Sequence, residues 1–169
     1  LSKDKKKTKI QGLAKNNKKI KKNYIFFAIR GYKTNGEKFI KEAIKRGAAA
    51  IICSKNLKFT NQEIPIIKTS NVRLLLSKIS SEYFNLKPKN IFAVTGTNGK
   101  TSVADLFYQI LSLNNVPVAS IGTLGIKYKN KIIKSKLTSP DTILLHQSLE
   151  KIKKNKIDNV IIEASSHGL

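Results

Sequence analysis

Cysteine occurs once in this 169-residue sequence, acidic residues number only 10 against 33 lysines and arginines, and no apolar run approaches the length of a membrane span. Each shortage excludes something. Cys53 alone cannot close an internal disulfide, and its place in the apolar run 48–53 reads as a small buried side chain rather than a reactive thiol. A spanning helix needs about 20 consecutive apolar residues, and a secretory signal needs an apolar segment that the opening "LSKDKKKTKI" lacks. The expectation is a cytoplasmic protein with no membrane partner.

The shortage of acid leaves a formal net charge of +23, which invites a nucleic-acid reading through counterion release. The distribution argues against it. Only three of the basic residues are arginine, the lysines are spread along the whole chain, and no aromatic-rich strand with basic neighbours offers a stacking platform for bases. Lysine, asparagine and isoleucine are abundant together, as drift in an AT-rich genome produces, so solvated lysine faces are the simpler account. Metal and nucleophile sets are also missing. His146 and His167 have no cysteine or carboxylate cluster at zinc spacing, and the sequence shows no Ser/His/Asp or Cys/His arrangement for covalent catalysis. His146 reads as a structural residue on a helix; His167, in "EASSHGL", either supports its loop or touches a ligand.

What is present is a 40% hydrophobic content arranged as short apolar runs alternating with helical patterns. "NYIFFAIRG" (23–31) reads as a strand, "GEKFIKEAIKRG" (36–47) as a helix closing on Gly47, and "AAAIICS" (48–54) as a strand. After a short strand at 66–67, the segment 71–86 reads as a helix capped by Asn71, with Leu75, Leu76, Ile79, Tyr83 and Leu86 at helical spacing. "KPKN" (87–90) interrupts the pattern, which places a boundary between domains 1–88 and 89–169. The second part reads as strand 91–94, helix 102–113, strand 116–121, two possible strands flanking 128–131, helix 142–154 and a final strand "NVIIE" (159–163). Strands alternating with helices predict an α/β fold with a parallel sheet, whose sites lie beyond the carboxyl ends of the strands. The final strand is expected to lack the sheet neighbours that a further part of its domain would supply, leaving an exposed apolar edge that promotes association.

One such strand end carries "VTGTNGKTS" (94–102). The free N–H groups of a first helical turn and the positive end of the helix dipole converge there, which suits a phosphate. Gly96 and Gly99 allow close backbone approach, Lys100 supplies a mobile charge for β/γ-phosphate oxygens, and the Thr101 hydroxyl suits Mg²⁺. The general P-loop pattern has four residues between its glycine and the Gly-Lys pair, whereas only Thr97 and Asn98 stand here. The reading is a nucleoside triphosphate site, with a βα turn merely shaped by glycines as the other account. Glu163 ends an apolar strand, where such proteins place an acidic residue near the magnesium; a solvated or salt-bridged carboxylate is its alternative.

"TGTNGKTS", followed by "TSPD" (138–141) and "EASSHGL" (163–169), resembles the Mur ligases, ATP-dependent enzymes of peptidoglycan synthesis that make amide bonds through an acyl phosphate. "NYIFFAIRGYKTNGEKFIKEAIKRGAAAII" (23–52) is similar to the UDP-binding N-terminal domain of the branch that adds the third stem-peptide residue, here meso-diaminopimelate, with lysine as the alternative. The resemblance implies a UDP-binding domain followed by the first part of a P-loop ATP-binding domain. It implies that Gly96, Thr97, Asn98, Gly99, Lys100, Thr101 and Ser102 bind ATP, that Thr101 and Glu163 hold Mg²⁺, and that Lys100 and Glu163 serve catalysis. Thr138, Ser139 and Ser165 would contact UDP-N-acetylmuramoyl-L-Ala-D-Glu, with Lys15, Asn17, Tyr32, Lys33 and Thr34 at its uridine diphosphate end. Asn16, Asn17 and Lys18 depart from the family's usual Asp-Ser-Arg. The same resemblance leads us to expect an N-terminal fragment, inactive alone, of an enzyme that is monomeric at full length. A folylpolyglutamate synthetase-like ligase and a basic nucleic-acid-binding ATPase are the competing readings.

Overall fold

Short apolar runs and amphipathic segments fold here as two separate α/β units, and the computed structural model describes residues 9–31, 34–129, 131–133 and 141–164. The units are Leu1–Ser80 and Ser81–Leu169. In the first, strands β1 (Gly12–Ala14), β2 (Tyr24–Phe27), β3 (Ala50–Ser54) and β4 (Ile66–Thr69) pair in that order and run parallel throughout. Parallel strands covered on both faces need continuous apolar sequence, and residues 50–53 are buried without alternation. The core gathers Phe26, Ile40, Ala43, Ile51 and Cys53. Cys53 is fully buried, as expected, and burial pushes its thiol pKa up.

The helix expected over 36–47 divides in two: a 3-10 turn at Gly36–Phe39, then α1 (Ile40–Lys45), with Gly47 beyond it at φ 84°. The reason is local. Asn35 Oδ1 takes the Glu37 N–H at 3.0 Å, and Ile29 O takes the Gly36 N–H at 2.9 Å, so the α ladder starts only at Ile40. Helix α2 (Val72–Tyr83) begins where expected, with Asn71 Oδ1 accepting the Leu74 N–H at 2.9 Å. Of the apolar face read for it, Leu76 is buried while Tyr83 and Leu86 are exposed. The division between units falls inside this helix, a few residues before Pro88.

In the second unit, β5 (Asn90–Val94), β6 (Val118–Gly122), β7 (Gly125–Tyr128), β8 (Lys131–Ile133) and β9 (Asn159–Glu163) form one sheet in the order β5-β9-β6-β7-β8. The first three positions are parallel, but β7 and β8 are antiparallel, so the sheet is mixed rather than purely parallel. Only two residues, Thr123 and Leu124, join β6 to β7, and such a turn connects antiparallel neighbours alone. Helices α3 (Lys100–Leu113) and α4 (Thr142–Lys154) complete the unit, the second capped by Asp141 Oδ1 on the Leu144 N–H at 3.0 Å.

The expectation that "NVIIE" lacks sheet neighbours is overturned. β9 lies between β5 and β6, paired on both edges, with Val94 opposite Glu163 and Ile121 opposite Ile162. Residues 160 and 161 are core, whereas β5 is an edge strand, and its Ile91 and Phe92 are exposed. Val103, Leu106 and Ile110 on α3 are likewise exposed. Phe92 and Phe107, with ring centroids 5.0 Å apart, tie β5 to α3, and Lys127 Nζ reaches Asp105 Oδ1 at 2.5 Å to tie α3 to β7. Among the described residues no helix is long and apolar enough to cross a membrane.

Candidate functional site

The loop between β5 and α3 owes its shape to two glycines in backbone conformations that side chains rarely adopt. Gly96 stands at φ 146° and Gly99, the residue before the helix, at φ 77°. The first bond inside α3 runs from Val103 N–H to Gly99 O at 2.9 Å, so the N–H groups that precede it have no partner within the helix. Lys100 folds back over the loop, donating from Nζ to Gly96 O at 2.6 Å and Thr97 O at 3.3 Å. Its ammonium is thus held against the carbonyls of the loop. Residues 95–99 are exposed, and Ser102 lies on the solvent side of the first helical turn.

Opposite the loop, Glu163 occupies the carboxyl end of β9 with 3% of its surface exposed. Its Oε2 accepts the Thr101 hydroxyl at 2.9 Å and the Thr123 hydroxyl at 3.0 Å, and its Oε1 accepts the Thr123 N–H at 3.2 Å. The carboxylate has room because residue 122 is glycine: a Cβ there would stand 2.0 Å from Oε1. Three segments therefore converge, each from the carboxyl end of one of the neighbouring strands β5, β9 and β6. Hydroxyl and carboxylate oxygens are the hard donors that Mg²⁺ prefers, and Mg²⁺ is usually held by one or two carboxylates together with substrate phosphates. Thr101 and Glu163 fit that pattern. Among the described residues no group of three or more His, Cys, Asp and Glu side chains stands where it could hold a metal ion.

Thr123 and Gly122 were not read from the sequence as site residues. The only signal was their place just past an apolar strand, and that becomes informative only once β6 is known to neighbour β9. His146, read as structural, lies half-buried on α4, and its Nδ1 has no hydrogen-bond partner among the described residues; burial lowers its pKa, and the Lys87 charge lowers it further.

In the first unit, Lys15 follows β1 and Thr34 follows β2, beyond the carboxyl edge of the parallel sheet, and Thr34 O accepts the Gly31 N–H at 2.9 Å. Asn17 donates its side-chain amide to Glu42 Oε2 at 2.7 Å, and this bond, ahead of Arg46, holds the Glu42 carboxyl below its ordinary range. Asn16 is occupied as a cap, its Oδ1 accepting the Lys18 N–H at 2.9 Å. Tyr32, Lys33, Thr138, Ser139, Ser165 and His167 lie outside the described residues.

Two family models match the chain: "Mur ligase family, catalytic domain" over residues 9–84 and "Mur ligase middle domain" over residues 94–169. Similar proteins include the UDP-N-acetylmuramoyl-L-alanyl-D-glutamate--2,6-diaminopimelate ligases of Brucella melitensis, 34% identical over 160 residues, and of Aquifex aeolicus, 36% identical over 164. Each comparison covers 95% of this chain and 33% of the relative, so the chain spans about a third of the length of the proteins it matches. A solved structure of a ligase of the same name superposes with a TM-score of 0.78 at 28% identity, covering 94% of this chain and 32% of that one. The MurF ligase from Thermotoga maritima in complex with ADP shares the fold, with a TM-score of 0.62, 22% identity and the same two coverages of 94% and 32%. Since models of one family match both units, and one of them takes in the glycine loop together with the strand-end carboxylate, the chain belongs to the Mur ligase family.

Proposed function

We propose that this chain holds two substrates of an ATP-dependent amide ligase that adds meso-diaminopimelate to UDP-N-acetylmuramoyl-L-Ala-D-Glu in peptidoglycan synthesis. The observation that carries the reading is the approach of Thr101 and Glu163 at the end of a lysine-bearing glycine loop. The names of the relatives give the substrate pair.

In this reading, residues 96–102 bind ATP, with backbone N–H groups and Lys100 on its phosphates. The D-glutamate carboxylate attacks the γ-phosphorus, the bond to the β-phosphate oxygen breaks, and ADP departs. The incoming amine then attacks the acyl carbon, loses its proton and expels phosphate, so no enzyme nucleophile is required. Lys100 offsets charge on the transferring group, a preorganised contribution that strengthens as that charge develops. Thr101 and Glu163 would hold Mg²⁺, which neutralises phosphate charge when bound. Lys15, Asn17, Tyr32, Lys33 and Thr34 are assigned to the uridine diphosphate end, and Thr138, Ser139 and Ser165 to the muramoyl-dipeptide. We place the domain junction at residues 88 and 89 and the protein in the cytoplasm, as a monomer that binds no polynucleotide.

The test uses the native full-length protein. Phosphate release should require UDP-N-acetylmuramoyl-L-Ala-D-Glu and should be faster with meso-diaminopimelate than with lysine. Release that ignores the UDP substrate, or tight polynucleotide binding with a steep salt dependence, would overturn the proposal.

A further inference from the structure

Glu163 has three rotatable side-chain bonds, and a single hydrogen bond would leave its carboxylate plane free to turn. Thr123 removes that freedom. Its N–H reaches Oε1 at 3.2 Å and its hydroxyl reaches Oε2 at 3.0 Å, so one residue grips both oxygens. The grip is mounted on a two-residue turn whose ends are fixed by the pairing of Gly122 with Gly125. Gly122 leaves the space on the same side, since a Cβ there would overlap Oε1. Thr101 approaches the shared Oε2 from the other segment at 2.9 Å.

We propose that Thr123 is a positioning residue for a divalent cation bound with the nucleotide, setting the Glu163 carboxylate against the Thr101 hydroxyl. This rests on the reading that Thr101 and Glu163 are the cation's protein ligands. The hydrogen-bond chemistry accommodates both roles at once. A hydroxyl donates through its hydrogen and keeps its lone pairs, so Thr101 can donate to Glu163 while offering oxygen to a cation. Partners that orient a metal's ligands contribute about 10–100-fold to metal affinity. The β6–β7 turn thereby acts on the metal without touching it.

The experiment compares wild type, Thr123→Val and Thr123→Ser in the native full-length protein, with Mn²⁺ and ADP as probes. Mn²⁺ affinity in the presence of ADP is read by electron paramagnetic resonance, and metal-free ADP affinity by calorimetry. Thr123 is itself solvent-exposed, and the unfolding midpoint of each variant is read alongside so that a folding defect is told apart from a metal defect. Thr123→Val should weaken Mn²⁺ binding about 10–100-fold, with metal-free ADP affinity unchanged, and Thr123→Ser should restore it. Mn²⁺ affinity of Thr123→Val within about twofold of wild type, well short of the range for such partners, would overturn the proposal. So would a serine variant as weak as the valine one. Wild-type protein that binds ADP without responding to Mn²⁺ would instead refute the ligand assignment of Thr101 and Glu163, and this inference with it.

Discussion

The Thr101 hydroxyl donates to Glu163 Oε2 at 2.9 Å although 62 residues separate them in the chain. The contact follows from strand order: β5 and β9 are parallel neighbours, Val94 lies opposite Glu163, and Ala164 N–H bonds Val94 O at 2.9 Å. Glu163→Gln keeps the size and one accepting oxygen but removes the charge. The magnesium concentration for half-maximal activity should rise by at least the roughly 10–100-fold that loss of a ligand's supporting partner costs, while the far-ultraviolet circular dichroism stays that of wild type. An unchanged magnesium dependence would assign Glu163 a structural role.

Lys100→Ala removes the one charged donor placed over the loop. Loss of a preorganised electrostatic donor lowers kcat by about 10²–10³, and that is the expected loss here, measured as substrate-dependent phosphate release. Among the described residues Lys100 is bonded to carbonyls of its own exposed loop, so the unfolding midpoint should hardly move. Near wild-type turnover would remove Lys100 from the mechanism.

Gly122→Ala drives a methyl group into the space of Glu163 Oε1, 2.0 Å away. Overpacking of this kind costs about 1–3 kcal/mol, readable in the denaturant midpoint. Pairing it with Glu163→Ala should recover most of that loss, because the atom in the way is gone. Two additive losses would show that the strain lies in the backbone instead.

His146 gives the second unit a defined pH response. Burial, then the Lys87 charge, lowers its pKa below the ordinary 6.5, so the unfolded chain takes up a proton more readily than the folded one. The stability tied to neutral His146 is therefore complete above about pH 6.5 and is lost as pH falls through the lower folded value. Thermal unfolding at pH 7.5 and 5.5 should show a drop for wild type that is smaller in His146→Leu. Equal drops in both proteins would show that other groups carry the response.

Much of this fold is legible locally. Asn71 announces its helix because a cap needs only the N–H groups two or three residues ahead. The glycine loop is legible for the same reason: strand, turn and helix are contiguous. What local pattern cannot give is which strands are neighbours. "NVIIE" reads as a strand, yet its insertion between β5 and β6 depends on how the chain crosses over, and the expectation of an unpaired edge failed there. Thr123 was hidden by the same ignorance, since a threonine after a strand is unremarkable until that strand is known to border Glu163. Three-residue β1 was missed because its pattern is too short to repeat.

The central seat of β9 also sets an order of events during synthesis. Asn90 at the start of β5 bonds Asn159 of β9 across 69 residues, and β9 is the strand partner of β5 in the described sheet. At about 5–20 residues per second, several seconds pass between the ribosome releasing one strand and the other. Throughout that interval the loop's strand has no ladder to join and Thr101 has no carboxylate to meet. The glycine loop and its acidic partner therefore come together only after residue 163 is made, so a shorter nascent chain carries the glycine motif without the carboxylate that Thr101 meets.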